Sequence, residues 1–407
     1  MPTPLPADSA DGPVDEREAV RLRRELADAL ADGGFLDDPA WRRAVEAVPR
    51  HRFVRGYYTE TGASGDGLTV WEPVTSVTDL ARWLRDSYTD RTLITQFDGD
   101  EPDWERPAPR AGGAPTSSST LPSLVLRMWL DADVRDGHNV LEVGTGTGYS
   151  TALACARLGE DGDVASVEVD GKRLEQAAEA LHACGYHPDL AVADGLYGYW
   201  PSAPYDRIVA ACSVRGVPPT WIAQTKPGGK ILATLSGWLY GYARVLLTVH
   251  DDGTAEGPLL PGTISFMTAR AQERPAAGNP VHWESLTRDA PDQPARHDPR
   301  RLDEPTAEGF FGRFLAQLAA PTAQTMSLGD TVYLVDVTSG SVAALASHDN
   351  VWRVRQSGPA RLWDAIEAAW DAWDDAGRPG PETFRMRIAS GRQIIDHPSG
   401  VLSFTLP

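Results

Sequence analysis

Residues 139–152 read Asn-Val-Leu-Glu-Val-Gly-Thr-Gly-Thr-Gly-Tyr-Ser-Thr-Ala, and the rest of the chain is organised around them. Val140, Leu141 and Val143 form a short apolar run, which is typical of a buried strand. Three glycines then alternate with threonines, and a helix-forming run covers residues 149–158. Glycine is needed where the backbone takes a positive φ or lies against a ligand. The stretch therefore predicts a strand, a ligand-binding turn and a helix whose free N–H groups face the ligand.

The spacing of this turn differs from the dinucleotide-binding fingerprint Gly-x-Gly-x-x-Gly. Here the pattern is Glu-x-Gly-x-Gly-x-Gly, from Glu142 to Gly148. A carboxylate at this point would repel a pyrophosphate, but it suits a ligand that carries an amine, such as S-adenosylmethionine (SAM). Residues 164–169 predict the next strand, and Glu168 near its end is placed to hold two ribose hydroxyls. The turn and the two carboxylates together indicate a SAM site.

Strands and helices continue to alternate after Glu168. The sequence predicts a helix at 172–183 and strands at 189–192, 206–211 and 230–235, the last after a Lys-Pro-Gly-Gly turn. Such alternation predicts an α/β fold with a doubly wound, Rossmann-like parallel sheet that binds ligands at the carboxyl ends of its strands.

The flanking sequence predicts the domain organisation. Residues 1–115 are expected to form an N-terminal helical region with an Asp-, Pro- and Gly-rich insertion, and residues 116–270 the SAM-binding core. Residues 271–301 are dense in Pro, Asp, His and Arg, which predicts a linker. Residues 302–407 predict a separate C-terminal α+β domain, whose tryptophans at helical spacing are read as core.

Length, charge and cysteines narrow the function classes. The 407 residues suffice for two or three domains. A formal net charge of −19 argues against nucleic-acid binding and against an anionic membrane surface. No apolar run approaches the length of a membrane span and the N-terminus lacks a signal-peptide pattern, so a cytoplasmic location is expected. The three cysteines show no metal-ligand spacing, and no metal is expected.

The sequence resembles the protein-L-isoaspartate O-methyltransferases (PIMT) over about residues 40–270. The matching segments are residues 48–54 (Val-Pro-Arg-His-Arg-Phe-Val), the hydroxyl-rich run before Pro122, and residues 140–151, 164–168, 193–195 and 205–235. The resemblance implies the class I fold of SAM-dependent methyltransferases and methyl transfer to a carboxylate, with S-adenosylhomocysteine as product.

In the PIMT family a Thr-x-Ser-x-Pro segment closes over SAM and orients the substrate carboxyl. Here it corresponds to residues 118–122, Ser-Ser-Thr-Leu-Pro, so the resemblance implies Ser118, Ser119 and Thr120 as catalytic residues. Thr120 stands where the family has a serine, which preserves a hydroxyl. The alternative interpretation of this hydroxyl cluster is an ordinary helix N-cap.

The resemblance also implies which residues bind SAM. Glu142 and the glycines match the methionine-binding turn, Glu168 the ribose ligand, and Asp194 the acceptor for adenine N6. The full expected set is Ser118, Ser119, Glu142, Gly144, Thr145, Gly146, Gly148, Tyr149, Glu168, Val169, Asp194 and Gly195.

Two features depart from repair PIMT: a long insertion before Thr116 and the chain after Arg270. Together with residues 251–257 and 260–267, they are similar to PIMT-like enzymes encoded with ATP-grasp ligases that make graspetides, which are ω-ester or ω-amide crosslinked peptides. This implies methylation of an Asp side chain in the crosslinked precursor peptide and collapse of the ester to an aspartimide. The precursor peptide and the ligase are the implied partners, and the C-terminal domain is expected to recognise the peptide.

Carboxylate methylation fits the residues, because a carboxylate with a pKa near ~3.9 is already ionised and needs alignment more than a general base. Two alternatives stay open: general isoaspartate repair, and a non-catalytic SAM-binding partner of a ligase. Arg215, after the predicted fourth strand, attracts the carboxylate in one interpretation and is a solvated turn residue in the other.

Overall fold

Residues 14–349 and 351–407 are described by the computed structural model. They divide into a first unit that ends at Ala193 and a second unit that begins at Asp194. Within the described residues, no helix combines the length and the apolar character that a membrane crossing requires.

The first unit mixes helices with two kinds of sheet. Its helices are α1 (Glu16–Asp32), α2 (Pro39–Ala47), α3 (Ser76–Ser87), α4 (Pro122–Asp131), α5 (Tyr149–Leu158) and α6 (Gly171–Ala183). Its strands are β1 (Gly56–Ala63), β2 (Thr69–Thr75), β3 (Leu93–Phe97), β4 (Arg110–Ala111), β5 (Pro115–Ser119), β6 (Asn139–Val143), β7 (Asp163–Glu168) and β8 (Asp189–Val192).

The structure corrects the expectation of a helical region over residues 1–115. Helices α1 to α3 are present, but β1 to β4 lie in the same range and form a sheet with β5 in the order β4-β2-β1-β3-β5. All pairings in this sheet are antiparallel. Most side chains of β1 and β2 are accessible to solvent, so these strands lack the apolar alternation from which a strand is predicted.

The predicted strand, turn and helix around Glu142 are confirmed. Strands β6, β7 and β8 are parallel neighbours in that order, and α5 and α6 connect them. Helix α6 begins after Asp170, whose carboxylate accepts hydrogen bonds from the Lys172 and Arg173 N–H groups. The carboxyl ends of β6 and β7 therefore bring Glu142 and Glu168 to one edge of this sheet.

The second unit continues the strand and helix pattern. Its helices are α7 (Pro219–Ala223), α8 (Pro280–Arg288), α9 (Ala307–Ala319) and α10 (Leu362–Asp375). Its strands are β9 (Tyr205–Val214), β10 (Thr225–Leu235), β11 (Ala243–Val249), β12 (Ala255–Leu260), β13 (Gln293–Pro294), β14 (Gln324–Leu328), β15 (Thr331–Asp336), β16 (Ser341–His348), β17 (Val351–Ser357), β18 (Arg385–Ala389), β19 (Arg392–Asp396) and β20 (Ser403–Thr405).

Two sheets organise these strands. In one, the order is β20-β19-β18-β12-β11-β10-β9, with β9 and β10 parallel and the other pairs antiparallel. The other sheet is antiparallel in the order β13-β17-β16-β15-β14. Because β18 pairs directly with β12, the last strands of the chain extend the sheet that β9 begins. The expectation of a separate body over residues 302–407 is therefore wrong for β18 to β20.

The predicted linker, residues 271–301, also proves to be folded. Helix α8 begins after Asn279, which caps it, and places Trp283 at 2% exposure in a core cluster with Tyr333, Val335 and Val342. Strand β13 pairs with β17. One buried aromatic side chain thus anchors a segment whose average composition is polar. The tryptophans of α10 are buried as expected of core residues.

Candidate functional site

The turn between β6 and α5 has a backbone that favours glycine at three alternate positions. Gly144, Gly146 and Gly148 have φ angles of 102°, 55° and 87°. The Gly144 N–H donates to the carbonyl of Val167 on β7 at 2.9 Å, which fixes the turn against the next strand. Gly148 stands at the N-cap of α5, and no side chain in the described part of the chain caps this helix. The first N–H groups of α5 are therefore left for a ligand.

Glu142 lies on β6 with only 1% of its surface exposed. Its Oε2 accepts hydrogen bonds from the hydroxyls of Thr151 and Ser166. Its Oε1 is buried and has no hydrogen-bond partner within the described residues. A buried carboxylate oxygen without a donor is unfavourable. The amine of a SAM methionine moiety would supply that donor, so the residue fits the expected ligand.

Burial raises the pKa of Glu142 to about 7, although hydroxyls of Ser150, Thr151 and Ser166 act in the opposite direction. Since the ionised form binds an amine best, SAM affinity is expected to increase as the pH rises from about 6 to 8. The Glu142→Gln variant should bind SAM more weakly and with little pH dependence. Calorimetric titration of SAM at several pH values measures both. An identical pH profile in both proteins would contradict the assignment.

The raised pKa of Glu142 also affects the stability of the protein without SAM. The folded-state pKa of Glu142 lies above its ordinary value of 4.5. The unfolded chain therefore loses this proton first as the pH rises, and Glu142 lowers the free energy of unfolding between about pH 4.5 and 7. Glu142→Gln should remove this contribution, which thermal melting across that pH range would show.

Glu168 at the end of β7 contacts the glycine turn. Its Oε2 accepts from the Gly146 N–H at 2.9 Å and its Oε1 from the Asp170 N–H at 3.1 Å. The structure thus brings together Glu142, Gly146 and Glu168, as the sequence predicted for the two acidic strand ends. Val169, the next residue, is 46% exposed. The roles of these residues in SAM binding stay predictions.

Glu168→Ala is expected to weaken SAM binding by about 1–3 kcal/mol, because ribose hydroxyls would lose a charged acceptor. Glu175, exposed on α6, offers a matched control, since Glu175→Ala removes the same charge away from the turn. Calorimetry measures the SAM affinity of both variants, and their melting temperatures show whether each still folds. A loss of affinity in Glu168→Ala alone would show that the effect comes from the site and not from the lost charge. Unchanged SAM affinity in Glu168→Ala would remove this residue from the site.

The hydroxyl-rich segment is strand β5 rather than a helix cap. Helix α4 begins after Leu121 without a side-chain cap, so the N-cap interpretation is wrong. Ser118 pairs with Ile94 of β3. The Ser118 carbonyl oxygen lies 3.8 Å from the position that a Cβ on Gly146 would take. The segment therefore runs beside the glycine turn.

Strand alternation divides the hydroxyls of this segment between two faces. Ser117 and Ser119 are buried, and the Ser117 hydroxyl accepts from that of Thr95 at 3.2 Å. The Ser119 hydroxyl accepts from the Nε of Arg50 at 3.3 Å. Ser118 and Thr120 are only partly buried. Ser118 and Thr120 are therefore the two predicted catalytic residues on the accessible side of the segment. The third, Ser119, already accepts a hydrogen bond from Arg50.

Arg50 fixes this segment, a role that was not predicted from the sequence. Its guanidinium is fully buried and contacts no carboxylate of residues 14–349 and 351–407; it donates to backbone carbonyls at 3.0–3.3 Å. The acceptors are the carbonyls of Ser87, Thr89, Arg91, Ser119 and Thr120. Burial lowers the pKa of Arg50 to about 10. Its guanidinium carbon lies 5.4 Å from the ring centroid of Tyr149, the first residue of α5. The available signal was its position inside the matched segment at residues 48–54.

Asp194 and Gly195 open the second unit. The Asp194 carboxylate accepts from the Leu196 N–H at 3.0 Å and caps a single 3₁₀ turn, Gly195–Tyr197. Its predicted contact with adenine stays a prediction. No group of His, Cys, Asp and Glu suited to a metal ion occurs among the described residues. Burial raises the pKa of Cys155 to about 12, which fits a packed and unreactive thiol.

In sequence and in fold, this chain is similar to protein-L-isoaspartate O-methyltransferases. The family model described as protein-L-isoaspartate(D-aspartate) O-methyltransferase (PCMT) matches residues 89–247. Protein-L-isoaspartate O-methyltransferase 1 of Archaeoglobus fulgidus is 38% identical over 211 residues, which cover 52% of this chain and 77% of that protein. The Methanosarcina mazei protein-L-isoaspartate O-methyltransferase is 28% identical over 242 residues, covering 59% and 79%. A solved structure of a protein-L-isoaspartate O-methyltransferase shares the fold with a TM-score of 0.52 at 22% identity, covering 92% of this chain and 99% of that one.

Proposed function

This chain belongs to the PIMT family and is a SAM-dependent methyltransferase of that type, and we propose that its acceptor is an aspartate side chain in a crosslinked ribosomal peptide, a graspetide. The carboxylate oxygen takes the methyl group that SAM supplies, and an ester forms. The backbone nitrogen of the next residue then attacks the ester carbonyl. Its proton leaves with the methoxide as methanol, and an aspartimide remains.

The observation that supports a carboxylate acceptor is the presence of two partly buried hydroxyl residues, Ser118 and Thr120, in the segment that runs beside the glycine turn. Ser118 and Thr120 carry neutral hydrogen-bond donors, and Arg50 donates to the carbonyls of Ser119 and Thr120 in the same segment. Neutral donors orient a carboxylate without neutralising its charge, so its oxygen remains nucleophilic. No base has to remove a proton from an ionised carboxylate. The arrangement therefore suits an acceptor that needs alignment.

A cleft formed in part by the inserted segment lies at the glycine turn. Its lining includes Gly146 and Thr147 of the turn, Thr95 of β3, and Trp104 of the insertion. Trp104 packs over Gly56, where a Cβ would lie 2.4 Å from the indole ring. The insertion is thus an ordered wall beside the glycine turn, and this segment is one of the two features that depart from repair PIMT.

General isoaspartate repair is the second candidate, and the names of the relatives favour it. The solved structure that shares this fold covers 92% of the chain, so the length after Arg270 does not separate the two substrates. The graspetide proposal rests on the similarity of residues 251–257 and 260–267 and on the insertion. A partnership with an ATP-grasp ligase belongs to the same proposal.

Mass spectrometry of three peptides separates the candidates. The full-length protein is incubated with SAM and with a crosslinked Asp-containing peptide, its linear form, or an isoaspartyl peptide. We expect modification of the crosslinked peptide alone. Modification of the isoaspartyl peptide alone would establish repair. SAM binding without modification of any peptide would favour the non-catalytic partner.

A further inference from the structure

The loop between β10 and β11, residues 236–242, presents three aromatic side chains and is held rigidly on α9. We call it the aromatic loop. A Cβ on Gly237 would lie 2.2 Å from the side chain of Gln317, and one on Gly241 2.6 Å from the backbone of α9. The Leu239 N–H donates to the Oε1 of Gln317 at 2.5 Å. These close approaches hold the backbone of the loop against α9.

Arginines lie over two of the three rings of this loop, those of Trp238 and Tyr240. The guanidinium carbon of Arg215 lies 4.0 Å from the ring centroid of Trp238. Those of Arg274 and Arg313 lie 5.4 Å and 5.9 Å from the ring centroid of Tyr240. Tyr240 is 39% exposed and has a φ of 57°, a conformation that is uncommon outside glycine. Stacking on an aromatic face orients a guanidinium while leaving its edge free for hydrogen bonds.

Two of these guanidinium groups lack a carboxylate partner among the described residues. Arg215 is half-buried, and its Nη2 donates to the Pro321 carbonyl at 3.0 Å. Burial lowers its pKa below the ordinary value, with Asp336 acting in the opposite direction. Arg274 is exposed. Arg313, by contrast, pairs with Asp303 at 3.3 Å. A partly desolvated cation with unused donors favours an anionic partner.

The position of Arg215 in the fold points to a ligand-binding role. It follows directly after β9, which runs parallel to β10. Ligands of α/β sheets bind at the carboxyl ends of parallel strands. The chain as a whole has a net charge of −19, so an anion has few favourable places to bind. A cationic and aromatic surface at this strand end is therefore suited to an acidic partner.

We propose that Arg215 and Arg274, stacked on Trp238 and Tyr240, bind carboxylates of an acidic peptide segment. These carboxylates belong to residues that flank the methylated one. The proposal rests on the proposed function in taking the partner to be the substrate peptide. Guanidinium groups bind carboxylates through paired N–H···O bonds, which gives orientation as well as affinity. The surface would hold an acidic substrate and disfavour a neutral one.

Direct binding measurements test this surface without any methyl transfer. A fluorescein-labelled peptide of alternating Asp and Gly, and its Asn counterpart, are titrated with the full-length protein while anisotropy is recorded. The Asp peptide should bind about tenfold more tightly or better. Arg215→Gln should reduce its affinity about tenfold and Arg274→Gln by less, while Arg215→Lys should fall in between. Equal affinity for the Asp and Asn peptides would overturn the proposal.

The control is Arg392→Gln, which removes the same charge from an exposed position on β19. If Arg392→Gln and Arg215→Gln weaken binding equally, only net charge matters and the site is wrong. A labelled oligouridine of equal charge is a further arm, and preference for it would also overturn the proposal. If the crosslinked peptide is methylated but the Arg215 variants bind the Asp peptide as tightly as the unaltered protein does, the proposed binding surface is wrong and the proposed function stands. If the variants weaken binding as expected but no peptide is methylated, only the proposed function is wrong.

Discussion

Replacing Arg50 by alanine is expected to lower the free energy of unfolding by about 3–5 kcal/mol, because several buried carbonyls lose their donor at once. This guanidinium joins the hydroxyl segment to the loop after α3, with acceptors on Ser87, Thr89 and Arg91 on one side and on Ser119 and Thr120 on the other. Turnover should fall as well, because the hydroxyls beside the turn would no longer be held. Urea unfolding and initial rates measure the two effects.

Arg50→Lys separates a positioning role from a merely structural one. Lysine carries three donors on a point charge and lacks the planar fork of arginine, so it restores only part of the hydrogen bonding. We expect it to lower kcat more than SAM affinity while the protein still folds. The matched control is Arg52→Ala: Arg52 pairs with Glu16 near the surface, so its loss should change stability by less than about 1 kcal/mol. Wild-type kcat in Arg50→Lys would show that Arg50 does not position the site.

Replacing Thr120 by alanine is expected to lower kcat on the order of 10²-fold, with SAM affinity nearly unchanged. Thr120 follows β5 on the accessible side of the segment, and its carbonyl is held by Arg50. Its hydroxyl is the group proposed to orient the acceptor carboxylate. Thr120→Ser keeps that hydroxyl and should retain most of the activity. Initial rates with the crosslinked peptide, together with calorimetry of SAM, give both quantities.

Ser119→Ala is the control for this prediction. The Ser119 hydroxyl accepts from Arg50 and faces the interior, so its removal should lower stability by about 1 kcal/mol and leave kcat nearly unchanged. A loss of kcat in Ser119→Ala that exceeds the loss in Thr120→Ala would reverse the assignment. A loss confined to SAM affinity in Thr120→Ala would show that this hydroxyl serves the cofactor.

The centre of the fold could be predicted because its signals are local. The glycines at residues 144–148 stand where φ is positive, and the acidic residues Glu142 and Glu168 end neighbouring strands. Parallel strands in sequence order then place both carboxylates at one edge without any knowledge of packing. The residue types in the turn and the βαβ connection were therefore sufficient to predict this part of the site.

The rest depends on contacts between distant residues. Arg50 acts on a strand far along the chain, and nothing in its neighbourhood shows that its partners are carbonyls. The strands β1 and β2 are half-exposed and have no apolar alternation. In the segment expected to be a linker, Trp283 alone identifies a core contact. A chain that ends at Ala271 would lose β18, the partner of β12, and is therefore not expected to fold.

The mass of one crosslinked peptide, followed over time, tests whether this protein methylates an aspartate side chain of that peptide. We expect that the peptide first gains one methyl group, on an aspartate that tandem mass spectrometry localises. It then loses methanol, leaving a peptide lighter than the starting material by one water. The first step should require SAM and the full-length protein, and Thr120→Ala should slow it. A stable methyl group on any nitrogen, or an unchanged crosslinked peptide while an isoaspartyl peptide is methylated, would contradict the claim.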